Sequence, residues 1–212
     1  MKILLADDHA VVRHGLKQIL AAEFKRADFA EARNAQEALN IVWKEKLDVV
    51  VLDITMPGRS GLEVLREIKK SKPRLPVLVL SMHPENQFAV RVLKRGASGY
   101  MTKESAPEEL VGAIKKVLAG GRYVSPSLAE KLATYVSSDS QKPSQELLSD
   151  REFQVLRLIA SGKIVSEIAK ELSLSVKTIS TYRTRILEKM GMRNNAELMR
   201  YAMDHQLVES SG

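Results

Sequence analysis

Four apolar runs in this chain each stop on a residue that phosphate chemistry could use. Ile3-Leu4-Leu5-Ala6 ends on Asp7-Asp8, and Val49-Val50-Val51-Leu52 ends on Asp53. Val77-Leu78-Val79-Leu80 ends on Ser81, and Gly99-Tyr100-Met101-Thr102 runs into Lys103. Three ionised carboxylates in one place repel each other, so either one stays protonated or a cation neutralises them. A few hard oxygen ligands, with room left for water and a phosphate, suit Mg²⁺ better than zinc. A carboxylate beside such an ion can attack a phosphoryl group and form an aspartyl-phosphate. Asp53 is the expected nucleophile because it stands alone at the end of the central strand. Lys103 and the metal would offset charge on the transferring group. A strand-end Asp can instead cap the next helix. Capping does not account for an Asp pair, a lone Asp, a Ser and a Lys on one edge. His9 and His83 flank the site and are read as rim residues, since His is a poor Mg²⁺ ligand.

Such a gathering needs parallel strands. Continuous Val/Ile/Leu runs read as strands buried on both faces, and ligands collect outside the carboxyl ends of such sheets. Strands are expected near 2–7, 27–32, 47–53, 76–81 and 98–102, alternating with helices in an α/β doubly wound domain. Val12, Leu16, Ile19 and Leu20 form one helical stripe; Ala38, Leu39, Val42 and Trp43 form another. Leu62, Leu65 and Ile68 make a third, and Leu110, Ala113, Ile114 and Val117 line a helix near 106–119. Ser125-Pro126 reads as an N-cap and first turn of a short helix through about Val136. Residues 137–145 contain no apolar side chain and read as a flexible linker.

Beyond the linker the pattern is purely helical. Ser149-Asp150-Arg151-Glu152 fits a capping box, Gly162 ends that helix, and further helices are expected at about 165–172, 176–190 and 195–205. Helix, three-residue break (Ser173-Leu174-Ser175), helix is the outline of a helix-turn-helix. On the second helix Val176, Ile179, Ile186, Leu187 and Met190 share one side. Lys177, Ser180, Thr181, Thr184, Arg185 and Glu188 cover the other, a face suited to a major groove. The hydroxyls of Ser180, Thr181 and Thr184 would approach base edges; Lys177, Arg183, Arg185 and Lys189 would contact phosphates. Thr178 completes the expected DNA-binding set.

The 212 residues are 44% hydrophobic and 28% charged, ordinary for a soluble globular protein. No apolar stretch approaches the roughly 18 residues that cross a bilayer, and Met1-Lys2-Ile3 entering a strand is not read as a signal peptide. Zero cysteines exclude disulfides, thiolate metal sites and a cysteine nucleophile. The expected location is the cytoplasm. Net charge is +7, but residues 1–125 hold 21 Lys+Arg against 15 Asp+Glu while 145–212 hold 10 against 9. The excess therefore lies outside the helix-turn-helix, so global charge is not the ground for expecting DNA binding.

Asp7-Asp8, Asp53 with Met56-Pro57-Gly58 and Gly61, Ser81, Tyr100 and Lys103 together resemble the receiver domain of two-component response regulators. The segment from Leu148-Ser149-Asp150-Arg151-Glu152 through Glu167-Ile168-Ala169, Leu172-Ser173-Leu174-Ser175, Thr178-Ile179 and Asn195-Ala196 resembles the LuxR-type helix-turn-helix of the NarL/FixJ regulators. The resemblance implies a flavodoxin-like, five-stranded parallel sheet of order 2-1-3-4-5, followed by a small all-α four-helix domain. It implies a receiver at 1–121, a linker with a short helix at 122–147, and a DNA-binding domain at 148–212.

It further implies that Asp53 accepts phosphate from a sensor histidine kinase. Asp7, Asp8, Asp53 and the Thr55 carbonyl would hold Mg²⁺, Lys103 would pair with the phosphoryl group, and Ser81 and Tyr100 would form the switch pair. The chain would be no enzyme beyond its own phosphorylation and dephosphorylation. Expected partners are double-stranded promoter DNA, the cognate kinase, a second copy in a phosphorylation-promoted homodimer, and RNA polymerase; no membrane is expected. Rival readings are a Mg²⁺ phosphatase, which would want a carboxylate where Thr55 stands, a LuxR-type regulator that senses a small ligand, and an interaction module that is never phosphorylated.

Overall fold

The computed structural model describes residues 1–56, 60–82, 85–130, 144–205 and 207–208. The chain divides into two compact units, Met1–Tyr135 and Val136–Gly212. In the first, five strands alternate with five helices: β1 (Lys2–Ala6), α1 (Ala10–Glu23), β2 (Asp28–Ala32), α2 (Ala35–Lys44), β3 (Val49–Asp53), α3 (Gly61–Ser71), β4 (Val77–Ser81), α4 (Glu85–Lys94), β5 (Gly99–Thr102) and α5 (Ala106–Leu118). The sheet is parallel throughout, in the order β2-β1-β3-β4-β5. This is the order that the resemblance implies.

Every residue of β3 and β4 is buried, as two-sided burial of a continuous Val/Leu run requires. Side chains alternate between faces. Ile3, Leu5, Val49, Val51, Leu78 and Leu80 form one core with Leu16 and Leu20 of α1 and with Leu110, Ala113, Ile114 and Val117 of α5. Each fully buried Leu contributes about 1.5–3 kcal/mol by leaving water. On the other face α2 contacts β1 and β2, α3 contacts β3, and α4 contacts β5. Ala38, Leu39 and Val42 are buried there, but Trp43 is 52% exposed, so it does not belong to the inward stripe of α2. It follows Val42 by about 100° and falls just past the edge of the apolar face.

After α5 the chain returns to the sheet. Tyr123 bridges to Gly99, its N–H donates to the Ser98 carbonyl at 2.8 Å, and its hydroxyl donates to Glu109 at 2.5 Å. A side chain at Gly99 would lie 2.6 Å from the Tyr123 carbonyl oxygen, so glycine is what lets this segment approach β5. Ser125 then caps a helical turn at 126–130, its hydroxyl accepting from the Leu128 N–H at 3.1 Å. The remainder of the helix expected through Val136, and linker residues up to 143, lie outside the described residues.

In the second unit a 3-10 turn (Ser144–Leu147) precedes α6 (Asp150–Ala160), α7 (Val165–Glu171), α8 (Val176–Met190) and α9 (Asn195–Asp204). Gln145, read from sequence as linker, belongs to this turn and accepts from the Tyr201 hydroxyl on α9. The capping box at Ser149 and Glu152 forms as expected. Phe153, Leu156, Ile168, Ile179, Ile186, Leu198 and Ala202 build the core. Between α7 and α8, Ser173 adopts φ 52°, the left-handed conformation that lets the chain turn in three residues.

Candidate functional site

The strand order places the carboxyl ends of β1 and β3 side by side, with β4 next to β3 and β5 beyond it. Asp7 and Asp53 are 2% and 1% exposed. Lys103 reaches between them, its Nζ 2.6 Å from Asp7 Oδ2 and 2.7 Å from Asp53 Oδ2. The lysine backbone is fixed by its N–H donating to the Ser81 carbonyl at 2.7 Å. The Thr55 N–H donates to Asp53 Oδ1 at 2.9 Å, so the loop after β3 wraps over the carboxylate. That loop passes close to α3: a Cβ on Gly61 would stand 2.3 Å from the Asp53 carbonyl oxygen. Pro57 and Gly58, between them, lie outside the described residues.

Asp8 is partly exposed, and His9, on the rim, places Nδ1 2.9 Å from Asp8 Oδ1 and 3.2 Å from Asp7 Oδ1. Ligand atoms of Asp7, Asp8, His9 and Asp53 all lie within 4.8 Å of one another. Asp7 Oδ2 and Asp8 Oδ1 are buried and accept no hydrogen bond of good geometry; their neighbours are the ionic groups of Lys103 and His9. Buried carboxylate oxygens with unspent acceptor capacity, beside a second buried carboxylate, fit a small divalent cation. Three carboxylates and no sulfur favour Mg²⁺ over zinc. His83 lies outside the described residues.

Burial pushes the Asp53 carboxyl above its ordinary range, against the opposing pull of the Lys103 charge; Asp7 adds to the rise. For Lys103 burial acts downward, but the two carboxylates outweigh it and the ammonium is held above the usual lysine value. Charge of both signs is thus concentrated in one buried pocket with shifted proton affinities, an arrangement of active-site kind. Ser81 and Tyr100 are both fully buried, on adjacent strands β4 and β5. Arg13 was not singled out by sequence. It is 6% exposed, donates from Nη1 to the Asp7 carbonyl at 2.7 Å and approaches Glu31 at 3.4 Å, bracing the Asp7-Asp8 turn. Its signal was the 13-16-20 spacing on α1, which puts a cation in the buried stripe.

On α8 the inward residues are Ile179, Ile186 and Met190, whereas Val176 is 52% exposed. Val176 therefore belongs to the outer face with Lys177, Ser180, Thr181, Thr184 and Arg185, all exposed. Sequence reasoning put it inside because an apolar residue one turn before Ile179 fits a helical stripe; the first turn projects beyond the core. Ser180, Thr181 and Thr184 hydroxyls donate to carbonyls four residues earlier at 3.0, 3.0 and 3.2 Å, leaving acceptor lone pairs and Thr methyls outward. Ser175, Lys177, Thr178, Thr181, Tyr182 and Arg185 line a shallow concavity of about 280 Å³. Ser175 is the N-cap of α8, its Oγ accepting from the Thr178 N–H at 3.0 Å, and the Thr178 hydroxyl lies 2.7 Å from the same oxygen. Arg183 Nε donates to Asn195 at 2.6 Å, and Lys189 Nζ donates to the buried Glu152 at 2.6 Å. Those two cations are engaged within the unit.

Residues 3–115 match the response regulator receiver domain, and residues 146–202 match the bacterial regulatory proteins of the luxR family. The chain belongs to the two-component response regulators. This response regulator is 38% identical to the response regulator GacA of Pseudomonas aeruginosa over 212 residues, covering 100% of this chain and 99% of the relative. It is 35% identical to the response regulator UvrY of Escherichia coli K12 over 211 residues, covering 99% and 97%. Among solved structures it is similar to RcsB of Salmonella typhimurium, with a TM-score of 0.69, 29% identity, and 97% and 98% of the chains covered. It is also similar to RcsB of Salmonella enterica serovar Typhimurium bound to promoter rprA in the presence of the phosphomimetic BeF3⁻, with a TM-score of 0.64, 30% identity and 96% and 98% coverage. Two domains follow, a receiver and a LuxR-type DNA-binding domain of the NarL/FixJ kind, and the protein regulates transcription rather than turning over a substrate.

Proposed function

We propose that Asp53 accepts phosphate from a sensor histidine kinase and that the phosphorylated form binds promoter DNA as a homodimer in the cytoplasm. The observation that carries this reading is the buried triad of Asp7, Asp53 and Lys103, with Lys103 2.6–2.7 Å from both carboxylates. Asp53 Oδ attacks phosphorus, the phosphorus–nitrogen bond to the donor histidine breaks, and the imidazole keeps the electron pair. Asp53 Oδ1 is held by the Thr55 N–H, so Oδ2, paired with Lys103, would be the attacking oxygen. Lys103 then turns from the carboxylate to the new phosphoryl oxygens. Asp7, Asp8, Asp53 and the Thr55 carbonyl would hold Mg²⁺, which supplies charge neutralisation during transfer. Hydrolysis of the aspartyl-phosphate would be the chain's only other chemistry.

A phosphate adds close to two negative charges to the pocket, and under this reading Ser81 and Tyr100, buried on the adjacent strands β4 and β5, pass the change on. Tyr100 is already turned inward in this structure. Under this reading residues 1–121 form the phosphoacceptor domain, 122–147 the linker and 148–212 the DNA-binding domain. Lys177 and Arg185 contact phosphates, and Ser180, Thr181, Thr184 and Val176 meet base edges. Arg183, Lys189 and Thr178 are better placed to position α8, because their polar groups are already engaged on Asn195, Glu152 and Ser175. RNA polymerase is the expected downstream partner of the bound dimer.

The test is incubation with acetyl phosphate and Mg²⁺, followed by intact mass and gel filtration. One phosphate should be taken up, with a shift towards dimer. Asp53→Asn should take up none; labelling of that variant at the normal rate would refute the assignment.

A further inference from the structure

Charge in the first unit is segregated by the fold. All five strands start at one edge of the sheet, so the connections that lead from each helix into the next strand gather there. Those connections bring Lys25 and Arg26, then Lys46, then Lys72 and Arg74, then Arg95, and Arg122 follows α5. Against these seven cations the same connections hold two acids, Glu45 and Asp48. The last turns of α2, α3 and α5 add Lys44, Lys69, Lys70, Lys115 and Lys116. At the opposite edge the first turns carry Glu37, Glu63, Glu85, Glu108 and Glu109, beside the carboxylate pocket.

Helix dipoles account for part of this, since a cation in a last turn gains about 0.3–1 kcal/mol. They also reach Lys72, the C-cap of α3, and Arg95, directly after α4, but weaken by Arg26, Lys46 and Arg74, which stand two or three residues past their helices. The acids at this edge neutralise it only in part. Glu45 pairs with Lys2 at 2.9 Å, Asp48 accepts from the Lys2 backbone N–H at 2.6 Å, and Glu23 pairs with Lys115. Arg26, Lys46 and Arg74 are exposed and form no ion pair with a described residue. Lys46, Lys72 and Arg74 border a shallow depression of about 550 Å³. Lys69, beside it, has its ammonium disfavoured by burial and by the charge of Arg122.

The second unit contributes 10 Lys+Arg against 9 Asp+Glu from residue 145 onward, and two of its α8 cations are engaged internally. Affinity for duplex DNA comes mainly from phosphate neutralisation. A nearly neutral reading head leaves that requirement largely unmet. At the strand-start edge of the receiver Lys69 and Lys72 donate to the Leu75 and Glu45 carbonyls and Lys115 pairs with Glu23, but Arg26, Lys46 and Arg74 stay exposed without an ion pair among the described residues.

We infer that the basic edge formed by the helix-to-strand connections of the receiver is a second, sequence-independent DNA contact, taking up backbone phosphates beyond those held by the helix-turn-helix. The edge offers charge but no hydrogen-bonding groove for bases, so it adds affinity and not specificity. The inference rests on the DNA-binding reading above and adds a surface to it.

The experiment uses the full chain and a duplex of arbitrary sequence, with binding followed by fluorescence anisotropy across a salt series. Lys46→Gln with Arg74→Gln should reduce the slope of log K against log salt by about 0.9 for each phosphate no longer neutralised, and weaken binding about tenfold at low salt. The charge-matched control, Arg33→Gln with Arg66→Gln, should leave the slope unchanged. An unchanged slope in the first variant overturns the inference, as does an equal fall in both, which would reflect net charge alone. Loss of binding to phosphatidylglycerol vesicles with DNA binding intact would overturn it in favour of a membrane surface. A wild-type chain that binds no duplex would refute the DNA-binding reading itself. A Lys177→Ala effect without a Lys46/Arg74 effect would refute only this second surface.

Discussion

The carboxylate pocket and the outer face of α8 are both built from charged and hydroxyl side chains, yet they are opposites. In the pocket, Asp7, Asp53 and Lys103 come from three strand ends up to 96 positions apart and are shut away from water. On α8, Lys177, Ser180, Thr181, Thr184 and Arg185 lie within nine consecutive residues and stay exposed. Burial makes each pocket charge depend on its neighbours, because an unpaired ion in a low dielectric costs several kcal/mol. Exposure leaves the charges of the helix face screened by water, so each contributes little to stability. One region holds charges that answer to one another; the other holds charges that answer to solvent.

The difference can be broken most forcefully at Lys103. Lys103→Met leaves Asp7 and Asp53 facing each other without a cation and should cost about 3 kcal/mol of receiver stability, measured by urea unfolding with metal chelated. A loss under about 1 kcal/mol would mean that the pocket behaves like a surface site. Glu152 tests whether the second unit is free of such buried dependence. Burial opposes its ionisation, but Lys189 and the Ser149 cap outweigh that and hold its carboxyl below the usual range. A carboxyl lowered in the folded state contributes stability above its unfolded value of 4.5, and that stability disappears as pH falls through the lower folded value. Glu152→Gln should therefore cost about 2 kcal/mol at neutral pH, and the gap between variant and wild type should close as pH drops below 4.5. A gap that is constant with pH would assign Glu152 a purely steric role.

Two smaller effects sharpen the contrast on the exposed side. Thr181→Ala should leave thermal stability unchanged while relaxing base preference by about 1 kcal/mol, read from binding to a randomised duplex library. Reduced stability with unchanged preference would move Thr181 out of the groove. Ser173→Gly relieves the left-handed backbone at φ 52°. It should raise the unfolding free energy of the second unit by only about 0.5 kcal/mol, because glycine also loses more chain entropy on folding.

Much of this was legible in the residues. Two-sided burial at Val49–Asp53 and Val77–Ser81, and the stripe Leu110-Ala113-Ile114-Val117, follow from local patterns that a covered strand or an amphipathic helix must show. The Ser149–Glu152 box and the Ser175 cap are contacts over three residues, so adjacent sequence is enough to read them. Trp43 and Val176 were misplaced because helical spacing specifies an angle but not how far the neighbouring element extends to cover it. Gln145 was assigned to the linker because its partner, Tyr201, is 56 residues away.

The sequence by itself determined which side chains end the strands, which residues cap the helices, and that Asp53 stands alone where the central strand stops. Only the tertiary structure decided that Lys103 bridges Asp7 and Asp53, that Arg13 braces the Asp7 turn, and that Lys189 is held by Glu152. It also decided that the receiver's excess cations share one edge. The reason is physical. Strand ends and caps depend on neighbours within a few residues, whereas a charge's partner depends on which strands are adjacent, and adjacency in a parallel sheet is set by packing of helices far apart in the chain.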